Sequence, residues 1–72
     1  MSRVVGIGRA PDLAGYALAG TEIVEAVDPE HVRRAWDGLA DDVALVLLTP
    51  EARSALPERL PVTAPLWVVL PA

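Results

Sequence analysis

Asp28-Pro-Glu-His-Val-Arg-Arg-Ala-Trp-Asp-Gly-Leu-Ala-Asp-Asp-Val-Ala-Leu-Val-Leu-Leu-Thr-Pro-Glu51 reads as a helix, a strand and the start of another helix. Asp28 can accept from the first free N–H groups, Pro29 suits the first helical position, and Glu30 complements the helix dipole. Val32, Ala35, Trp36 and Leu39 recur at i, i+3, i+4 and i+7, one apolar stripe that predicts a largely buried Trp36. Arg33, Arg34 and Asp37 fall on the other side. Asp41 and Asp42 close the helix, and Val43 to Leu48 is a strand without a polar face. Such strands belong to parallel sheets covered on both faces. Thr49-Pro50-Glu51 then repeats the N-cap, proline, acid opening.

The same grammar extends in both directions. Val4, Val5 and Ile7 form a first strand ending at Gly8, and Pro11 opens a helix carrying Leu13, Tyr16 and Ala17 inward. Gly20 fits the C′ position of that helix. Gly15 lies inside it, at a cost of about 1 kcal/mol relative to Ala, and predicts close packing against the sheet. Thr21 to Val27 reads as the second strand. Ala52, Ala55 and Leu56 supply the buried side of a short third helix stopped by Pro57, and Glu58 to Ala64 is a turn-rich connection. Leu66 to Leu70, between Pro65 and Pro71, is the last strand.

Three alternating units with right-handed crossovers predict one α/β domain over residues 1–72. Its form is three-layered: a four-stranded parallel sheet of order 2-1-3-4 with helices on both faces. The first helix lies alone on one face, the other two on the opposite face. Alternation sends Val43, Leu45 and Leu47 one way and Ala44, Val46 and Leu48 the other. Trp67 and Val69 likewise oppose Leu66, Val68 and Leu70. With one short helix on one side, an apolar patch is expected near the last strand, large enough to require self-association or a partner.

Composition narrows the function. The 72 residues are 53% hydrophobic with a net charge of −4, which argues against a nucleic-acid or anionic-membrane surface. There is no cysteine, so disulfides and thiolate chemistry are excluded, and no lysine, so a P-loop is excluded. No apolar run approaches the roughly 20 residues of a membrane helix, and the N-terminus does not read as a signal peptide. The expectation is a soluble cytoplasmic protein.

The candidate motifs are weak. Gly6-Ile-Gly8-Arg-Ala-Pro11 follows a strand and opens a helix, but a dinucleotide fingerprint would have its third glycine where Pro11 stands. A tight β-to-α turn accounts for it. A receiver-type phosphoacceptor would place Asp at the end of the third strand, where Thr49-Pro50 stands. His31 lacks co-ligands at metal spacing, Asp41-Asp42 lies at the amino end of a strand, and neither Ser2 nor Ser54 has a base. No catalytic, cofactor or metal residue is assigned. The alternative is a small ligand- or nucleotide-binding module using the loops after the first and third strands, with Gly8, Arg9 and Thr49 at its mouth.

The segment Gly8-x6-Gly15-Tyr16-Ala17-Leu18-Ala19-Gly20, with the Asp28-Pro29-Glu30 helix start, Asp41 to Thr49 and Pro65 to Pro71, resembles the F subunits of V-type ATP synthases over essentially the whole chain. Gly8, Gly15, Leu18, Ala19 and Gly20 carry the resemblance. It implies a non-catalytic central-stalk component without cofactor, bound to the elongated coiled-coil shaft protein and helping couple ATP turnover to ion transport. It also implies a place peripheral to the membrane, without insertion. Two features differ from the family pattern: Arg9 replaces the frequent acid after the first strand's glycine, and the usual further C-terminal segment is expected to be lacking after Pro71-Ala72. The candidate interaction face comprises Leu66, Trp67 and Val69.

Overall fold

The computed structural model describes residues 3–60 and 65–71. Seven elements alternate: β1 (Arg3–Gly8), α1 (Ala10–Ala17), β2 (Glu22–Glu25), α2 (Pro29–Asp37), β3 (Val43–Leu48), α3 (Pro50–Ser54) and β4 (Leu66–Val69). All strand pairs are parallel and the order is β2-β1-β3-β4. The α/β reading and the 2-1-3-4 order therefore hold. Of the connection expected at Glu58 to Ala64, residues 61–64 lie outside the described residues, as does Ser2. β2 is shorter than Thr21 to Val27, although the Ala26 N–H still donates to the Gly8 carbonyl at 2.9 Å.

The caps form as their residue types dictate. The Asp28 carboxylate accepts from the His31 N–H at 2.9 Å, and Thr49 Oγ1 accepts from the Ala52 N–H at 3.2 Å. At the end of α1, the Gly20 N–H donates to the Ala17 carbonyl and the Thr21 N–H to the Tyr16 carbonyl. That pair of bonds is a Schellman motif with Gly20 at C′, and its φ of +95° is why glycine stands there.

The main core lies between the sheet and α2 and α3. Val5, Ile7, Val46 and Leu48 point into it from the central strands, and Val32, Ala52, Leu56 and Leu60 close it from the helical side. Trp36 is partly buried and packs against this core with Ala35 and Leu39. In so short a chain the stripe of α2 meets the core through Val32, while Ala35, Trp36 and Leu39 run toward its rim.

On the other face α1 packs over β1 and β2. Only Leu13 of α1 is buried; Tyr16 is 37% exposed and Ala17 is exposed, contrary to the expected stripe. Gly15 is corrected as well, because a Cβ added there would meet nothing within 4 Å. The glycine that permits close helix–sheet packing is Gly6, in the strand. A Cβ on it would come within 3.2 Å of the Leu13 side chain and 3.3 Å of Ile23.

Strand β3 also departs from simple alternation. Arg3 is opposite Val43 while Val4 is opposite Leu45, so Ala44 is an extra residue in the ladder. This bulge turns Val43 into the same core as Val46 and Leu48, rather than to the side of Leu45 and Leu47. Ala44 is left exposed.

Ion pairs tie the periphery. Arg3 bridges Glu22 at 2.6 Å and Asp42 at 2.9 Å, joining β1 to β2 and to the entrance of β3. Arg59 grips Asp37 through two hydrogen bonds of 2.8 and 2.9 Å, which lower the Asp37 carboxyl below its ordinary pKa. A depressed carboxylate stabilises the fold above its unfolded-state pKa and loses that contribution as pH falls through the folded value. We expect Asp37→Asn to lower the thermal midpoint at neutral pH. Melting curves across an acid titration should show the difference from wild type shrinking, because both proteins then carry a neutral side chain there.

Gly8 and Gly15 should respond in opposite ways to the same added methyl group. Gly8 has φ +154°, and a Cβ on it would lie 2.6 Å from Thr49 Oγ1 and closer still to Thr49 Cγ2. Urea titration should show Gly8→Ala destabilising by about 2 kcal/mol or more, from strain plus overpacking. Gly15→Ala should instead stabilise by about 0.5–1 kcal/mol, since the methyl group is free and helix propensity improves.

Candidate functional site

Ligands of open α/β sheets bind outside the carboxyl ends of the strands where the winding reverses. Here that position lies between β1 and β3, whose exits are Gly8 and Thr49. Gly8 and Thr49 do meet there, but they meet each other. Thr49 is 2% exposed, and its methyl and hydroxyl groups occupy the space above Gly8. Its N–H also donates to the Ile7 carbonyl at 3.3 Å.

The phosphate-binding feature of such a loop is the free N–H groups of the following helix. In α1 the Ala10 N–H donates to a Glu25 carboxylate oxygen at 3.1 Å, and the Asp12 N–H donates to the Arg9 carbonyl. A carboxylate from β2 thus stands where a phosphate would. Beside it a crevice of about 280 Å³ is lined by Asp12, Thr49, Pro50, Glu51, Leu70 and Pro71. Its two charged lining residues are acids. Arg9 is exposed next to Gly8 and is not part of that lining. The arrangement repels an anion.

The other residues singled out by the sequence remain scattered. His31 is an exposed member of the α2 N-terminus, 3.1 Å from Asp28. Backbone donation from His31 keeps the Asp28 carboxyl below its ordinary pKa. Asp41 and Asp42 are exposed at the amino end of β3, and Ser54 Oγ donates to the Pro50 carbonyl. Among the described residues, no three His, Cys, Asp or Glu side chains are grouped to hold a metal ion.

What the surface does present is apolar. On the side of the sheet shared with α1, Leu45 is opposite Leu66 and Leu47 is opposite Val68. Leu66 is 67% exposed and Val68 is 46% exposed, because α1 covers β1 and β2 and leaves this corner open. Trp67 and Val69 occupy the reverse side. Trp67 packs against the core with the Arg53 guanidinium 5.3 Å from its ring centroid, a cation–π contact from α3. The expected interaction face of Leu66, Trp67 and Val69 therefore spans two sides of one strand. Val68, which adjoins Leu66, is not singled out by the sequence, because alternation alone does not reveal which side a helix leaves bare.

A second apolar surface follows α1. Leu18 is 92% exposed, with Gly15, Ala17 and Ala19 also exposed around it. Of the residues that carry the family resemblance, Gly8 and Gly20 are required by backbone geometry, whereas Gly15, Leu18 and Ala19 support no internal packing.

The fold has a solved counterpart. The crystal structure of the F subunit of the V-type ATP synthase from Archaeoglobus fulgidus superposes with a TM-score of 0.68 over 97% of this chain and 98% of that one. The two share one fold. Sequence identity is 23%, a level at which the likeness shows architecture alone. No family model matches the sequence, and no curated protein matches it.

The two sides of β4 should separate in stability measurements. Measured at high dilution, on the single chain, Leu66→Gln and Val68→Thr should each change the unfolding free energy by no more than about 0.5 kcal/mol, as exposed positions do. Trp67→Ala should cost about 2 kcal/mol or more, because it removes core packing.

Proposed function

We propose that this chain is a non-catalytic central-stalk component of a rotary V-type ATP synthase or ATPase. In that role it binds the elongated shaft protein and helps couple ATP turnover to ion transport. The observation that carries the reading is the agreement of architecture with the solved F subunit over 97% of this chain and 98% of that one. Two further observations support it. The position where an α/β domain would hold a substrate is filled by Thr49 and flanked by acids. The surface meanwhile presents apolar side chains at Leu18, Leu66 and Val68, chemistry suited to protein contact.

In this reading ATP is bound and turned over on other chains, and this chain acts mechanically or as a regulator. Its location is cytoplasmic and peripheral, held to the membrane through the complex. Among the described residues no helix is long and apolar enough to cross a membrane, which agrees with that place.

Affinity purification of the tagged chain from its native cells, followed by mass spectrometry, tests the proposal. The expected result is stoichiometric recovery of the coiled-coil shaft protein, with the nucleotide-binding head proteins following it. Recovery of the tagged chain without any rotary ATPase component, under conditions that leave that enzyme assembled, would refute the assignment.

A further inference from the structure

We infer that the free chain forms a two-fold symmetric dimer by antiparallel pairing of β4 with β4 of a second copy. The inference stands apart from the stalk assignment, since it rests on the edge of the sheet and the side chains flanking it.

The two edges of the sheet are unlike. β2 carries Glu22 and Glu25, charges that discourage pairing with another strand. β4 is Leu66-Trp67-Val68-Val69, without a charge, and among the described residues nothing pairs with its outer side. An apolar edge with free backbone groups is a template for strand addition.

The backbone says which groups are free. The Leu70 N–H donates inward to the Leu48 carbonyl at 2.8 Å. In a parallel strand alternate residues turn both polar groups to the same neighbour. Leu66 and Val68 therefore face β3 with Leu70, and Trp67 and Val69 turn their N–H and C=O groups outward. The next outward positions on either side are Pro65 and Pro71, which have no N–H. The edge thus offers two donors, bracketed by residues that cannot donate.

This pattern fits a second copy of itself. With Val68 opposite Val68 of the second copy on the two-fold axis, Trp67 lies opposite Val69 of that copy and Val69 opposite its Trp67. Both outward donors of each chain then find carbonyl acceptors, and Pro65 lies opposite Pro71, so no donor is stranded. On the side left bare by α1, Leu66 meets Leu70 of the second copy and the two Val68 side chains meet each other. Pairing therefore continues the exposed apolar corner of one copy into that of the other. The symmetry is isologous and closes at eight strands, because the remaining edges are the charged β2 strands.

Sedimentation at on the order of tens of micromolar, a range suited to a small edge-strand interface, provides the first measurement. The expected mass is twice the 7.6 kDa of the chain. Val68→Lys should shift the protein to the single-chain mass with unchanged circular dichroism, because two ammonium groups would meet on the axis. The second measurement holds even if that variant fails to fold. The chain has no cysteine of its own, so Val68→Cys places one thiol per copy at the axis. In a non-hydrogen-bonded pair the Cβ atoms lie about 4.5–5.5 Å apart, and mild oxidation should give a disulfide dimer in high yield. Val24→Cys, exposed on β2, should not cross-link. A wild-type protein that stays at the single-chain mass overturns the inference. So do equal cross-linking of both variants, assemblies larger than two, or a β4 edge protected from hydrogen exchange only after a different protein is added.

Discussion

The contact between Gly8 and Thr49 is the constraint on which the rest of the structure depends. It joins the exits of the two central strands, and each residue is the type the contact needs. Gly8 has no Cβ to collide with Thr49 and adopts a φ of +154°. Thr49 donates its N–H to Ile7 on β1 and uses its hydroxyl to cap α3, so one residue fixes the β1–β3 register and the start of a helix. The Gly8 carbonyl in turn holds Ala26, which keeps β2 in the sheet. Losing this junction would loosen three strands and one helix together. It also occupies space at the end of the sheet from which related architectures bind substrates.

Much of this architecture is legible in the sequence because the signals are local. Asp28-Pro29-Glu30 and Thr49-Pro50-Glu51 announce helix starts through groups that act within one turn. The unbroken apolar run at Val43 to Leu48 announces a strand covered on both faces, and the crossover rule then leaves few topologies. Gly20 is readable for the same reason, since a Schellman turn depends on neighbours in the chain.

What is not legible depends on residues far apart in sequence. The bulge at Ala44 exists because Arg3 and Val43 pair in a register that the next residues do not continue, and no feature of Val43 to Leu48 alone encodes it. Gly15 has the helical position of a close-packing glycine, whereas Leu13 actually nests on Gly6 in the adjacent strand. The apolar character of β4 marks an interaction face without telling its two sides apart. Trp67 has its place under Arg53, so only Leu66 and its neighbour Val68 belong to the open corner.

Thr49 fills the space above Gly8, acids line the crevice beside it, and apolar side chains stand exposed at Leu18, Leu66 and Val68. The proposed role, contact with other proteins, rests on that combination. Amide spectra of the isotope-labelled chain, titrated in parallel with magnesium ATP and with the shaft protein of its own organism, test this claim most directly. The account predicts no saturable movement of the Gly8, Arg9 or Thr49 signals with nucleotide, and a saturable, localised change at apolar surface residues with the shaft protein. Saturable movement of those three signals with ATP, together with no response to the shaft protein, would contradict it.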